Sequence, residues 1–189
     1  MKVTHYFIAM ALPEEAKSFL WNTSNRIKDQ FPFKKWVFKE DYHMTLAFLG
    51  ASESATSTDC MKDIADMLKG QQPFSLDIHS IGIFGRREKP RILWAKPELD
   101  ESIYKLQRKI ADICRGHGYQ ISGQPFTPHI TIAKNYIGEP AFGDRQLEEC
   151  SQEMGEGITC MAERISLFEI DPDKTPKYKE AIQISLTGE

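Results

Sequence analysis

The sequence contains one four-residue pattern twice, as His43-Met-Thr-Leu46 and as His129-Ile-Thr-Ile132. Each copy begins a segment whose residues are typical of a β-strand, and the two copies lie at corresponding points of the two halves of the chain. The chain has five histidines, so two chance matches to His-x-Thr-aliphatic are expected in only about one sequence in a thousand. The repeat therefore constrains the fold, which has to bring two equivalent strands to equivalent positions.

Alternation along each strand is expected to place the histidine and the threonine of a motif on the same face. Side chains two residues apart point the same way and lie roughly 6.5–7 Å apart along the strand. In the first strand His43 and Thr45 then face away from Met44, Leu46 and Phe48, and in the second His129, Thr131 and Ala133 face away from Ile130 and Ile132. We expect the apolar faces to pack in a core and the polar faces to line a cleft, with Ala47 and Ala133 leaving room beside them.

The remaining segments repeat a similar order of strands and helices in each half. The first half predicts strands at 3–11, 36–38 and 42–49, with helices at 14–28 and 59–69. The second half predicts a hairpin of 74–84 with 91–95, helices at 99–116 and 144–154, and strands at 129–135, 160–170 and 178–186. This order indicates an α+β fold of two similar lobes. Because no linker rich in Gly or Ser separates them, we expect residues 1–189 to form a single domain of two intertwined lobes, each contributing one His-x-Thr strand.

Composition excludes several classes of protein. A hydrophobic fraction of 41% with 27% charged residues is typical of a soluble globular domain. The net charge of −3 does not fit a protein that coats nucleic acid through non-specific phosphate contacts, although it allows an enzyme that grips one terminal phosphate. We find no signal peptide or membrane span, and the four scattered cysteines are interpreted as reduced thiols of a cytoplasmic protein, with disulfides as the alternative.

Paired histidines suit acid–base chemistry on a phosphodiester. Histidine titrates near neutrality, so one neutral and one protonated imidazole can remove a proton from water and donate one to a leaving oxygen, each contributing roughly 10²- to 10⁴-fold. A threonine hydroxyl can donate a hydrogen bond to a non-bridging phosphate oxygen. A lone strand histidine is more often structural, but two copies in matching positions favour catalysis. Threonine is a poor zinc ligand, so we predict no metal and no cofactor, and keep a two-histidine metal site as the weaker alternative.

Longer segments around these motifs resemble a known family. They are His5-Tyr-Phe-Ile-Ala9, Asp41–Gly50 with its Phe-Leu-Gly ending, Gly82-Ile-Phe-Gly85, Pro90-Arg-Ile-Leu-Trp94, and Pro125–Lys134 with its Pro-Phe-Thr-Pro-His. The chain resembles the two-histidine phosphoesterases and, among them, the LigT-like RNA 2',3'-cyclic phosphodiesterases, also called 2'-5' RNA ligases. The resemblance covers nearly the whole sequence.

That resemblance implies a bilobal fold in which two antiparallel sheets with flanking helices surround a central cleft. It implies hydrolysis of RNA 2',3'-cyclic phosphate ends, or of nucleoside 2',3'-cyclic phosphates, to 2'-phosphates without metal or cofactor, with reversible 2'-5' ligation as a side reaction. Carried over by motif, His43 and His129 are the catalytic pair, and Thr45 and Thr131 hold the phosphate. The sequence does not decide which histidine is the acid; our working assignment is His43 as acid and His129 as base.

Further predicted site residues surround the motifs. Lys134 stands where the family usually has arginine, so the charge remains but the bidentate fork is lost, and strict alternation places it on the face of Ile130 and Ile132. His5 also stands where the family tends to have arginine, on the face of Phe7. Phe7 and Phe84 are predicted to stack on a substrate base, whereas Trp94 fits a core position better. Lys34 and Lys35 are interpreted as solvated surface charges.

Three alternatives remain open at this point. The chain could be a 2',5'-phosphodiesterase or a 3'-exonuclease of the same superfamily, which only substrate profiling separates. It could be a non-catalytic module that binds RNA ends, although binding alone does not require a proton donor and acceptor. The third alternative is the two-histidine metalloprotein. We expect the cyclic phosphodiesterase to be a monomer.

Overall fold

The strands of the chain form two antiparallel sheets with helices packed against them. The computed structural model describes residues 4–139 and 141–188, and in these it has nine strands and four α-helices. The strands are β1 Thr4–Ala11, β2 Phe33–Trp36, β3 His43–Ser52, β4 Phe74–Arg86, β5 Lys89–Glu98, β6 Ile130–Tyr136, β7 Ile158–Ala162, β8 Arg164–Ile170 and β9 Tyr178–Ser185. The helices are α1 Glu14–Ile27, α2 Ser54–Met67, α3 Glu101–Gly116 and α4 Asp144–Gln152.

The two sheets interleave the halves of the sequence. The first sheet has the order β3-β1-β8-β9 and the second the order β2-β6-β5-β4-β7. All strand pairs are antiparallel, so the predicted α+β class with two antiparallel sheets is confirmed. Strand β2 joins the second sheet, while β8 and β9, from the end of the chain, complete the first. Each lobe therefore contains strands from both halves, and one core cluster contains side chains from both sheets. The single domain of residues 1–189 stays a prediction.

Several predicted boundaries are wrong. The strand predicted at 160–170 is two strands, β7 and β8, which separate at Glu163 and belong to different sheets; no glycine or proline marks the break. Strand β2 lies at 33–36 rather than 36–38. Helix α2 begins at Ser54 rather than 59, and the hydroxyls of Ser57 and Thr58 donate to the carbonyl of Ser54 within its first turn. The predicted start of the first strand, residue 3, lies outside the described residues.

Apolar stripes on the helices supply much of the core. In α1 the predicted apolar positions Ala16, Leu20 and Ile27 are all buried. Helix α3 buries Ile103, Leu106 and Ile110, and Asp100 caps it by accepting a hydrogen bond from the Ser102 amide. No helix in the described residues is long and apolar enough to cross a membrane. The four cysteines are buried without a disulfide, with the Sγ atoms of Cys60 and Cys114 3.8 Å apart.

A β-bulge interrupts the first motif strand directly after Thr45. On β1, Ala9 pairs with Thr45 and the preceding residue, Ile8, pairs with Ala47, so Leu46 is an extra residue on β3. The bulge reverses the alternation beyond it. Phe48 therefore lies on the face of His43 and Thr45, 55% exposed, and Ala47 packs in the core. Both positions correct the expectation from strict alternation.

The second motif strand has a bulge at the equivalent place. Trp94 pairs with Thr131 and the preceding residue, Leu93, pairs with Ala133, which leaves Ile132 as the extra residue on β6. Lys134 thereby returns to the cleft face, contrary to the alternation prediction, and Ala133 is buried in the core instead of lining the cleft. The carbonyls of the two bulged residues are both satisfied: Leu46 accepts from Gln107 Nε2 at 3.1 Å and Ile132 accepts from the Val37 amide at 2.9 Å.

A glycine in β4 allows an aromatic stack to lie flat on the second sheet. Gly82 pairs with Trp94 on β5, and a Cβ atom on Gly82 would be 2.5 Å from Trp94 Cζ2. The Trp94 ring stacks on Phe84 with centroids 4.7 Å apart. Because Gly82 has no side chain, the Trp94 ring can lie close to the backbone of β4 with Phe84 stacked on it.

Replacing Gly82 by alanine is expected to destabilise the protein by about 1–3 kcal/mol, because the added methyl displaces Trp94 and Phe84. Urea unfolding measures this free energy. The matched control is Gly116→Ala at the end of α3, where nothing lies within 4 Å of the added Cβ and the change is expected to be neutral or stabilising by up to about 1 kcal/mol. Equal stability of the Gly82→Ala variant and the wild type would contradict the role of the close contact.

Candidate active site

The two motifs meet at one cavity of about 270 Å³ between the sheets. Six of the seven predicted site residues line it: Phe7, His43, Thr45, His129, Thr131 and Lys134. On the first sheet Ala9 pairs with Thr45 and Ala11 pairs with His43, so these small side chains are the neighbours that leave room beside the motif. The predicted cleft with both His/Thr faces turned into it is therefore present.

Each motif histidine is oriented by the backbone just before it. His43 Nδ1 lies 2.7 Å from the Asp41 carbonyl and His129 Nδ1 lies 2.8 Å from the Thr127 carbonyl. A carbonyl can only accept, so Nδ1 carries the hydrogen in both rings and Nε2 is the nitrogen left for other chemistry. The equivalence of the two motifs thus extends to the carbonyl two residues upstream.

Aromatic rings pack around His43 on the first sheet. Its ring centroid is 4.6 Å from that of Phe7 and 5.1 Å from that of Tyr178, and Phe7 stacks on Phe168 at 5.1 Å. The Thr45 hydroxyl donates to His43 Nε2 at 3.0 Å. Phe7 is only 3% exposed, so its main contact is with the imidazole, and its stacking on substrate stays a prediction.

His129 has an equivalent aromatic support on the second sheet. Phe84 contacts its ring edge-on with centroids 5.1 Å apart, and Trp94 lies behind Phe84 as a buried residue, as predicted. Phe84 does not line the cavity of the motifs. It lines an adjoining groove of about 360 Å³ together with Phe48 and Phe126.

Burial sets the electrostatics of the pair. Desolvation lowers the pKa of His43 to about 4, with repulsion from His129, Lys134 and Lys17 acting in the same direction and the hydrogen bond to the Asp41 carbonyl opposing them. His43 is therefore neutral at pH 7, with the lone pair on Nε2. Burial also lowers the pKa of Lys134, and the charges of Lys177 and Lys35 add to the effect.

Asp41 connects the cleft to the opposite end of the chain, and sequence reasoning did not identify it as a site residue. Its side chain is 5% exposed. The carboxylate accepts hydrogen bonds from the backbone amides of Lys177 and Tyr178 at 3.0 Å, while its own carbonyl accepts from His43. Only the three-dimensional arrangement reveals this link, because the residues are 136 and 137 positions apart.

The two bulges give the cleft one aromatic and one cationic side chain at equivalent positions. Phe48 and Lys134 each lie five residues after the histidine of their motif and each follows a bulge. Both line the cavity. The cleft is thus symmetric in its histidines and threonines and asymmetric in the residues beside them.

Other polar residues lie apart from the motifs. His5 is exposed on β1 and does not line the cavity. Among the described residues one group of three could hold a metal ion, with ligand atoms of Asp77, His79 and Glu98 within 4.8 Å of one another. It includes neither motif histidine.

Comparison with known proteins gives a consistent picture. A family model described as the 2'-5' RNA ligase superfamily matches residues 16–174. A Geobacillus stearothermophilus protein named RNA 2',3'-cyclic phosphodiesterase is 35% identical over 100% of this chain, which spans 59% of the length of that relative. A Bacillus subtilis protein of the same name is 32% identical over 97% of both chains.

Solved structures share the fold at lower identity. E. coli LigT complexed with 3'-AMP aligns with a TM-score of 0.71 and 20% identity over 98% of this chain and 99% of LigT. A Thermus thermophilus protein aligns with a TM-score of 0.74 and 24% identity over 96% of this chain and 97% of its own. These likenesses confirm the predicted bilobal architecture. With the family match over residues 16–174, they place this chain in the 2'-5' RNA ligase superfamily, to which it belongs.

Proposed function

We propose that this protein hydrolyses 2',3'-cyclic phosphates at RNA 3' ends to 2'-phosphomonoesters, without a metal ion. The observation that carries the proposal is the pair of imidazoles, His43 and His129, held by carbonyls at Nδ1 and lining one cavity with both motif threonines. The names of the Geobacillus and Bacillus relatives support the substrate class.

The proposed reaction assigns a task to each polar group of the cavity. A neutral imidazole takes a proton from water, whose oxygen attacks phosphorus, and the bond to the ribose 3' oxygen breaks as the protonated imidazole donates to it. When substrate binds, the Thr45 hydroxyl turns from His43 Nε2 to a non-bridging oxygen, and the Thr131 hydroxyl donates to the other. Lys134 balances the charge that develops in the transition state. The products are a free 3' hydroxyl and a 2'-phosphate.

Burial favours His43 as the base, which reverses our working assignment from the sequence. With a pKa of about 4 in the free protein, His43 is neutral at pH 7 and can accept a proton. His129 then supplies the proton to the leaving ribose 3' oxygen. The same pair acting in the same direction, with an RNA 5' hydroxyl in place of water as the nucleophile, would form a 2'-5' phosphodiester and a free 3' hydroxyl, which is the ligation that we retain as a side reaction.

The cellular location and the oligomeric state of the enzyme are part of the same proposal. Four buried cysteines without a disulfide suit a reducing compartment, which supports the predicted cytoplasmic location. The monomeric state stays a prediction that sedimentation can test.

The central prediction concerns short RNAs that end in a 2',3'-cyclic phosphate, assayed with excess EDTA. Turnover is expected to continue in EDTA and to yield the 2'-phosphate. His43→Ala and His129→Ala are each expected to lose about 10²- to 10⁴-fold in kcat, because each removes one proton-transfer partner. Quantified product formation with analysis of the phosphate position measures both effects.

The matched control is His79→Ala, which removes a histidine outside the cavity and is expected to leave turnover unchanged. Other outcomes would replace the proposal with a rival. Loss of activity in EDTA would indicate a metalloenzyme. Shortening of RNA that has no 2',3'-cyclic phosphate at its 3' end would indicate an exonuclease. Tight binding of the RNA end without turnover would indicate a binding module.

The pH dependence of kcat/KM tests the role of His43, because this parameter reports groups of the free enzyme. With His43 as a base of pKa about 4, activity is expected to change less than about twofold between pH 6.5 and 5. A base with the ordinary histidine pKa of about 6.5 would lose about 16-fold over the same interval. An acidic limb centred at or above pH 6.5, in a protein still folded by circular dichroism, would contradict the assignment.

Asp41→Asn tests the support of His43. The amide places an NH2 group where the second carboxylate oxygen accepts from the Lys177 amide, and it removes the negative charge. We therefore expect a loss of about 1.5–3 kcal/mol in unfolding free energy together with lower kcat/KM. The control is Asp59→Asn, which breaks only the exposed ion pair with Lys62 and is expected to cost less than about 0.5 kcal/mol. Equal stability losses in the two variants would refute a special role for Asp41.

A further inference from the structure

A second cavity of about 250 Å³ adjoins the cavity of the motifs. The two share Val37, Asp41, Lys134 and Tyr178. The ammonium side chains of Lys35 and Lys177 also line the second cavity. We call Lys35, Lys134 and Lys177 the lysine cluster.

Both lobes contribute to the lysine cluster. Lys35 on β2 is the direct strand partner of Lys134 on β6 in the second sheet. Lys177 comes from the turn before β9 in the first sheet, where its backbone amide is held by the Asp41 carboxylate. The hydrogen bonds that anchor the turn therefore also bring a third cation to the pair.

The charges of the cluster are not neutralised by the protein. Among the described residues none of the three ammonium groups forms an ion pair, although the chain as a whole carries a net charge of −3. The acidic side chain that lines the cavity, Asp41, already accepts from two backbone amides. Lys177 and Lys35 both act to lower the pKa of Lys134. An anion between them would relieve this repulsion.

The opposite end of the cleft has a different character. The groove beside Thr45 and His129 is lined by Phe48, Phe84 and Phe126, and has no lysine, arginine or carboxylate among its lining residues. Flat apolar rings suit a nucleobase, whereas a lysine cluster suits a phosphate. The cleft thus has a direction along which a nucleotide chain can be oriented.

We propose that the lysine cluster binds the phosphodiester on the 5' side of the terminal nucleotide, so that the enzyme prefers oligonucleotide ends to mononucleoside cyclic phosphates. The inference rests on the proposed function. The cyclic phosphate occupies the motif cavity, the terminal base points to the aromatic groove, and the next phosphate along the strand, one ribose away, enters the adjoining cavity. Lys134 lines both cavities and contributes to both phosphate sites.

The test compares three substrates that share the same terminal nucleoside 2',3'-cyclic phosphate. One is the nucleoside alone, one is a dinucleotide with an ordinary phosphodiester, and one is the dinucleotide with an uncharged methylphosphonate linkage. The wild type is expected to favour the charged dinucleotide by about tenfold or more in kcat/KM over the other two. The log–log salt dependence for the charged dinucleotide is expected to be steeper by about 0.7, because one additional phosphate is neutralised.

In the double variant Lys35→Gln/Lys177→Gln, the kcat/KM for the charged dinucleotide divided by that for the nucleoside cyclic phosphate is expected to fall toward one. The matched control is Lys34→Gln/Lys179→Gln, which removes two exposed lysines outside both cavities and should leave the wild-type ratio unchanged. A ratio near one in the wild type, or one that survives loss of Lys35 and Lys177, would overturn the subsite.

A binding measurement keeps this result separate from the proposed function. Calorimetry with the corresponding 2'-phosphate products needs no turnover, and the charged dinucleotide product is expected to bind about tenfold more tightly than the mononucleotide. That difference without hydrolysis would retain the subsite and reject the catalytic proposal. Hydrolysis without this difference in affinity would reject the subsite and retain the catalytic proposal.

Discussion

Each motif strand has a bulged residue directly after its His-Thr pair, and the arrangement of the cleft depends on this bulge. Without the bulges at Leu46 and Ile132, alternation would turn Phe48 and Lys134 into the core. With them, each strand presents three side chains to the cavity and still buries two adjacent residues in the core. The bulged carbonyls are satisfied by Gln107 and Val37, so the irregular backbone leaves neither of these groups unpaired.

The electrostatics follow from what the bulged strands enclose. The aromatic rings of Phe7 and Tyr178 pack against the half-buried His43 and reduce its contact with water, which favours the neutral imidazole. The Asp41 carbonyl fixes which nitrogen carries the hydrogen, and the Asp41 carboxylate fixes the turn that carries Lys177. One residue therefore links the protonation state of a proposed catalytic base to the position of a proposed phosphate contact.

Much of this could be predicted where the information is local. The repeated His-x-Thr pattern identified the motif strands, and alternation over three residues placed His43 with Thr45 and His129 with Thr131 correctly. The faces of Phe48 and Lys134 were predicted wrongly because a bulge precedes each of them. The bulged residues, Leu46 and Ile132, are ordinary strand formers, and neither residue type indicates a bulge. The sequence also did not predict the strand break at Glu163 or the pairing of β2 within the second sheet. The residues that would form the alternative strand pairings are similar in type. The roles of Asp41 and Lys35 depend on residues distant in the sequence. Asp41 accepts hydrogen bonds from the backbone amides of Lys177 and Tyr178, and Lys35 is the strand partner of Lys134.

The central claim is that both histidines act on one phosphate through Nε2. A long-range ¹H–¹⁵N correlation spectrum of the imidazoles, recorded during titration with a nucleoside 2'-monophosphate, tests it most directly. We expect the Nε2 signals of His43 and His129 to shift together with one midpoint and both Nδ1 atoms to remain protonated. His5 and His79, which do not line the cavity, are expected not to respond. A shift of only one motif histidine, or two different midpoints, would contradict a shared phosphate site.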